Sequence, residues 1–110
     1  MEIKRGAVVV AAAPGEYSGK PRPFLVVQSD LFNATHGSIT MCTITSNVGG
    51  ELLFRVPLSP TADTGLRLDS EVQIDKILTL RRSRIVDVIG SVPQAVMEQV
   101  DQGLRRWQSL

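Results

Sequence analysis

The sequence predicts a mainly β protein: a small antiparallel barrel or half-barrel of about five or six short strands, covered in part by one C-terminal amphipathic helix. Three observations carry this expectation. Short apolar or alternating runs recur from Ala7 to Ile89, each brief enough for a strand and too brief for a core helix. Gly, Pro, Asn and Asp punctuate the gaps between them. Only after Pro93 does the apolar spacing become helical.

Taken in order, Ala7–Ala13 is wholly apolar, includes three valines and ends at Pro14-Gly15, so it reads as a buried strand. Gly15–Pro23 is a loop by composition. Phe24–Gln28 is a second buried strand. Ser29-Asp30 can cap a short helical turn through Asn33, because their side chains accept bonds from free N–H groups. His36-Gly37 marks a turn, and Ser38–Thr45, rich in Thr and Ile, is a third strand. Asn47–Gly50 turns into Glu51–Leu58, whose Pro57 suggests a strand end or an edge strand. Ser59–Leu66 is a loop. Ser70–Ile74 alternates as a half-exposed strand does, and Ile77–Leu80 continues it or turns a corner. Arg84–Ile89 is the last strand, ended by Gly90. Pro93 opens the helix. Val96, Val100, Leu104 and Trp107 form its apolar stripe, so Trp107 is expected in the core. Arg105 and Arg106 fall in its last turn, where the helix dipole favours cations. Gly103 should weaken this helix by roughly 1 kcal/mol relative to Ala.

A length of 110 residues suits one domain, 1–110, with one core. No internal repeat, low-complexity tract or linker interrupts it. The formal net charge is +1, so global charge gives no reason to expect nucleic acid. The single cysteine, Cys42, excludes an intramolecular disulfide and a cysteine-based zinc site, and fits a reducing cytoplasm. A basic start followed by an apolar run is also how a signal peptide begins, but Ala7–Ala13 is short and reads as strand. No run approaches the roughly 20 apolar residues of a membrane span.

Few residues carry recognisable chemistry. The lone histidine, His36, sits beside a turn glycine and reads as solvated. With no G-x-S-x-G motif and no base beside a serine, hydrolase chemistry of the serine type has no support. No P-loop and no G-x-G-x-x-G is present. What remains are arginines and hydroxyls. Arg22 lies between Pro21 and Pro23, so it loses less freedom on binding. Its planar fork suits a phosphate, and equally suits a structural pair with a carboxylate such as Glu16. Thr43 and Thr45 share a strand face, and Ser46 follows, though threonine is common in strands in any case. Lys76, Arg81, Arg82 and Arg84 form a basic run that fits a nucleic-acid backbone or, more often, a solvated face. Tyr17 is the one aromatic in an evident loop, placed to stack on a base or to pack over the barrel mouth.

Segments along nearly the whole chain resemble, in order, those of the MazF/PemK toxins of bacterial toxin–antitoxin pairs. "IKRGAVVVA" (3–11) is similar to that family's K-R-G-D-I/V opening strand, and "KPRPFLVVQSDLFN" (20–33) to its R-P-A-L-V-V-Q-N-D-x-x-N block. "ITMCTITSN" (39–47) resembles its strand ending in T-S. "LDSEVQIDKILTLRRSRI" (68–85) resembles its S-x-V-x-x-D/E-Q-I-R-T-I-D-K-x-R-L block, and "IGSVPQAVMEQVDQGLRRW" (89–107) its closing helix. No one motif is specific; the ordered set is.

The resemblance implies an SH3-like barrel of the CcdB/PemK type with a terminal helix, forming a homodimer. It implies a cytoplasmic toxin that cuts single-stranded RNA at short sequences and so stops translation and growth. No metal and no cofactor is expected. The RNA's own 2′-hydroxyl attacks, leaving a cyclic phosphate and a free 5′-hydroxyl. A cognate antitoxin, MazE-like, is the expected protein partner. By this resemblance Arg22 transfers protons and stabilises the phosphorane, and Thr45 hydrogen-bonds a phosphate oxygen. Tyr17, Lys20, Pro23, Ser46, Gln73 and Lys76 are then the expected RNA-binding residues, the alignment around Gln73 and Lys76 floating by a few positions. The first loop, "AAAPGEYSGKPRP", is shorter than the family's usual acidic one, so base preference does not carry over. An alternative on the same fold is a CcdB-like gyrase poison, which shares "VQSD" (27–30) and a tryptophan near the C-terminus. An SH3-like adaptor would need an aromatic groove for proline-rich peptides that so few aromatics cannot supply.

Overall fold

The computed structural model describes residues 1–13, 20–50 and 53–110. Strand β1 (Ala7–Ala11) contains only Ala and Val and is buried on both faces apart from half-buried Val10. Strand β2 (Arg22–Val26) starts earlier than its composition suggests: Arg22 and Pro23 are strand residues, opposite Ala11 and Val10 of β1. Helix α1 (Asp30–Asn33) is capped as expected, with the Ser29 hydroxyl oxygen accepting the Leu31 N–H at 3.1 Å. Strand β3 (Ser38–Thr45) has the bounds its Thr/Ile run predicts. Strand β4 (Arg55–Leu58) is shorter than the Glu51–Leu58 expected: Leu53 and Phe54 form a turn, and residues 51 and 52 lie outside the described residues. The two half-strands at 70–80 are one strand, β5 (Ser70–Arg81). A short helical turn over Arg82–Arg84 leads to β6 (Ile85–Ser91) and then to helix α2 (Gln94–Gln108), with Pro93 at its N-cap.

The strands form one antiparallel sheet in the order β4-β5-β3-β2-β1-β6. Pro57 does lie on an edge strand, where its missing N–H interrupts no second ladder. One face buries Val9, Ala11, Phe24, Val26, Ile39 and Met41. The other buries Val8, Leu25, Cys42, Ile44 and Val72 and is covered by Val96, Met97, Val100 and Leu104 of α2. The sheet is sharply bent in β5. Cys42 of β3 faces Ile77, but the next residue, Thr43, faces Gln73. Ile74, Asp75 and Lys76 therefore face no partner on β3, and the strand turns a corner there. Arg55 of β4 clamps that corner through a 2.6 Å ion pair with Asp75, and Ile74 N–H donates to Phe54 O at 2.9 Å. Gly103 has its reason at the same place: a Cβ on it would meet Ile74 at 3.2 Å, so glycine lets α2 lie close on the bend.

The barrel is barrel-like rather than closed by hydrogen bonds, because β4 and β6 do not pair. The loop between Leu58 and Ser70 spans the gap. Ser91 N–H donates to Asp63 O at 2.8 Å, and Gly65 and Gly90 let the loop and β6 touch backbone to backbone. Gly65 has φ +70°, and a Cβ there would fall 2.1 Å from Ile89 O. Trp107 is not in the core. It is 47% exposed and packs edge-on against Phe54 in the turn before β4, ring centroids 5.1 Å apart.

Two features give measurable expectations. Cys42 is fully buried, and burial pushes its thiol up to about 12. The thiolate is the reactive form. Cys42 should therefore resist iodoacetamide at pH 8 in the folded protein and react on unfolding, a mass shift of the intact chain reporting both. Asp30 accepts the Arg5 backbone N–H at 2.7 Å and the Asn33 amide at 2.8 Å, which together hold its carboxyl below the ordinary value of 3.8. A carboxyl depressed on folding stabilises the fold above its unfolded value and loses that contribution as pH falls through the folded one. Melting temperature should thus drop as pH is lowered below 3.8, and Asp30→Asn should show a shallower drop over that window.

Candidate nucleic-acid interface

The β2–β3 ladder runs from Val26↔Met41 to Phe24↔Thr43 and stops. Beyond it lies Pro23, which has no N–H to give. Continuing the same register by two residues sets Arg22 opposite Thr45. There the strands part, and a groove of about 410 Å³ opens between the start of β2, the end of β3, the corner of β5 and the loop before it. Its lining includes Arg22, Pro23, Thr43, Thr45, Ser46, Leu66, Arg67, Leu68, Ser70, Gln73 and Lys76. Arg22, Arg67 and Lys76 are cationic, and among the described residues none that lines the groove is acidic or a histidine. In such a cleft the like-signed charges reinforce one another and draw in an anion.

Each side chain has a local reason for its place. The Thr45 hydroxyl oxygen accepts the Asn47 N–H at 3.1 Å, closing the turn after β3. A hydroxyl used as acceptor still has its hydrogen to give, here towards the groove that Thr45 lines. Glu71, opposite Thr45 on β5 and 8% exposed, accepts the Gly49 N–H at 3.3 Å and so ties down the turn that carries Ser46. Thr43 is nearly buried and donates its hydroxyl to the Gln73 side-chain oxygen. Lys76 is exposed at the corner of β5, next to the clamped Asp75.

Of the residues singled out in the sequence, Arg22, Pro23, Thr45, Ser46, Gln73 and Lys76 converge on this groove. Lys20 is exposed two residues before Arg22 and does not line it. Tyr17 and Glu16 lie outside the described residues. The basic run divides. Lys76 enters the groove, whereas the Arg82 guanidinium donates to Asn33 O and to His36 O, the latter at 2.8 Å, and so caps the end of α1. Arg81 and Arg84 are exposed away from the groove. His36 is exposed too, its Nδ1 accepting the Ser38 N–H at 3.1 Å. Sequence reasoning missed Arg67 and Leu68, which form the groove's far wall; "GLRLD" carries no spacing that places it there.

Fold and groove together define a small barrel-like β protein with a cleft suited to a phosphodiester chain. Residues 4–107 match the family described as the PemK-like, MazF-like toxin of type II toxin-antitoxin systems, and the chain belongs to that family. It is 38% identical over 102 residues to a probable endoribonuclease MazF of Mycolicibacterium smegmatis, covering 93% of each chain. It is 28% identical over 111 residues to the endoribonuclease EndoA of Bacillus subtilis, covering 96% of this chain and 93% of that one. A chain of the MazE-MazF crystal structure (Form-III) from Deinococcus radiodurans superposes with a TM-score of 0.84 at 24% identity, over 100% of this chain and 99% of that one. That structural likeness establishes the fold.

Proposed function

We propose that the chain is the toxin of a type II toxin–antitoxin system and acts as a sequence-specific endoribonuclease on single-stranded RNA. The observation that carries this reading is the pair Arg22 and Thr45, set across the parted ends of β2 and β3 in a groove whose charged lining residues, among those described, are Arg22, Arg67 and Lys76. The groove seats a phosphodiester with its oxygens on the Arg22 fork and the Thr45 hydroxyl. The RNA's 2′-hydroxyl attacks the adjacent phosphorus and gives up its proton to water or hydroxide. The bond to the 5′ oxygen breaks, and that oxygen takes a proton as it leaves. The products are a 2′,3′-cyclic phosphate and a 5′-hydroxyl. Positioning and charge stabilisation supply the acceleration, so neither a protein nucleophile nor an imidazole base is required. Arginine holds its proton across the physiological range, which suits it to neutralise the phosphorane. Pro23 and Ser46 border the scissile phosphate, and Gln73 and Lys76 hold the strand beyond it. Tyr17 and Lys20 are assigned to contact with the RNA's flanking nucleotides.

The chain works in the cytoplasm as a homodimer, restrained by a MazE-like antitoxin that covers the groove. Among the described residues no helix is long and apolar enough to cross a membrane. Among the described residues the groove lining offers no carboxylate to bind a hard cation, so the reaction is proposed to run without metal. Incubation with a long RNA in EDTA tests the reading. Cleavage at a short recurring sequence is expected. Intact RNA together with gyrase–DNA complexes trapped by the protein would instead select a gyrase poison.

A further inference from the structure

We infer that Thr43 and Gln73 form a base-reading pair that selects a keto base, uracil or guanine, over an amino base at one position of the bound RNA. This rests on the single-stranded RNA reading of the groove. Gln73 lies at the point where β5 turns its corner, opposite Thr43 on β3 and Arg55 on β4. It is held from both sides by backbone and by the Arg55–Asp75 clamp two residues on. Its side chain lines the groove. The Thr43 hydroxyl, buried beneath it, donates to the Gln73 side-chain oxygen at 2.5 Å.

That bond decides what Gln73 can offer. A free glutamine amide presents an acceptor and two donors and can rotate to suit either kind of base edge. Here Thr43 holds the amide oxygen on its own side, and that orientation turns the NH₂ group towards the groove. An NH₂ group presented as the nearest polar group matches the O4 of uracil or the O6 of guanine. It opposes donor to donor the exocyclic amine that cytosine and adenine carry at the corresponding positions. Single-stranded RNA exposes these edges for reading. Thr43 does not touch the RNA in this account. It is a positioning residue that fixes the direction of the amide.

The test uses the full-length protein and a library of cleavage-resistant 2′-O-methyl RNA oligonucleotides, bound at equilibrium and sequenced. Wild type is expected to enrich uracil and guanine about tenfold over cytosine and adenine at a single position, the cost of leaving a donor unpaired. Gln73→Glu, which presents a carboxylate oxygen as acceptor, is expected to reverse the preference at that position. Thr43→Val should flatten it at an unchanged melting temperature, and Thr43→Ser, which restores the hydroxyl, should recover it. A wild-type profile with no keto preference, or a Gln73→Glu profile equal to wild type, overturns the pair. Cleavage of unmodified RNA is followed in parallel. Failure to cut sinks the nuclease reading while the binding profile still decides the role of Gln73.

Discussion

Arg22→Ala is expected to lower kcat/KM for RNA cleavage by about 10²–10³-fold, the usual result of removing one group that stabilises developing oxyanion charge. Arg22 lies on β2 between prolines, and its strand neighbours Phe24, Leu25 and Val26 are almost fully buried, so its backbone is fixed by the core. The side chain itself is exposed at the rim of the groove. Truncating it should therefore leave the melting temperature close to wild type while removing activity. Arg22→Lys separates charge from geometry. A lysine keeps the charge but lacks the planar fork that grips two phosphate oxygens at once, so it should recover binding more than turnover. Full activity in Arg22→Ala would remove the residue from the reaction.

Gly90→Ala is expected to destabilise the fold strongly. A Cβ at this position would fall 2.2 Å from Asp63 O and 2.5 Å from Thr64 C and O, backbone atoms of the loop that spans the open side of the sheet. Forcing extra volume into a packed contact costs typically about 1–3 kcal/mol. In a domain of this size that corresponds to a fall in melting temperature of roughly 5–20 °C. The same loop carries Leu66, Arg67 and Leu68, the far wall of the groove. RNA affinity should fall with stability, even though Gly90 does not line the groove. Gly37→Ala is the control: no atom lies within 4 Å of its added Cβ, and its melting temperature should match wild type. Equal melting temperatures for Gly90→Ala and wild type would show that the loop yields freely and does not brace the site.

The strands were legible where burial on one or both faces leaves a local signature. The Ala/Val run of β1, the Thr/Ile run of β3, the Ser29 cap and the edge proline Pro57 all lie where local chemistry places them. Of the candidate site, composition placed Thr45 at a strand end and Arg22 in a loop, whereas Arg22 is a strand residue, and the roles proposed for both come from the family resemblance. What the sequence hid depends on register. Thr43 meets Gln73 only because β5 leaves Ile74, Asp75 and Lys76 unpaired against β3, and nothing in their composition marks a bend. Arg67 reaches the groove because a loop closes the sheet through two glycines, a contact between segments far apart in the chain. Trp107 continues the helical period of Leu104, but a period gives the face of a helix and not how deeply each position on that face is covered. Gly103, a weak point by helix propensity, is a packing requirement set by Ile74.

With Arg22 and Thr45 on the phosphate, attack in the groove is expected to come from the RNA's own 2′-hydroxyl. Mass spectrometry of the ends made by the purified protein on a defined RNA, in EDTA, tests it most directly. A 2′,3′-cyclic phosphate on the upstream fragment and a 5′-hydroxyl on the downstream one are expected, and neither from an RNA whose 2′-hydroxyl at the cleaved nucleotide is replaced by hydrogen. A 5′-phosphate on the downstream fragment, or continued cleavage of the 2′-deoxy substrate, would contradict it.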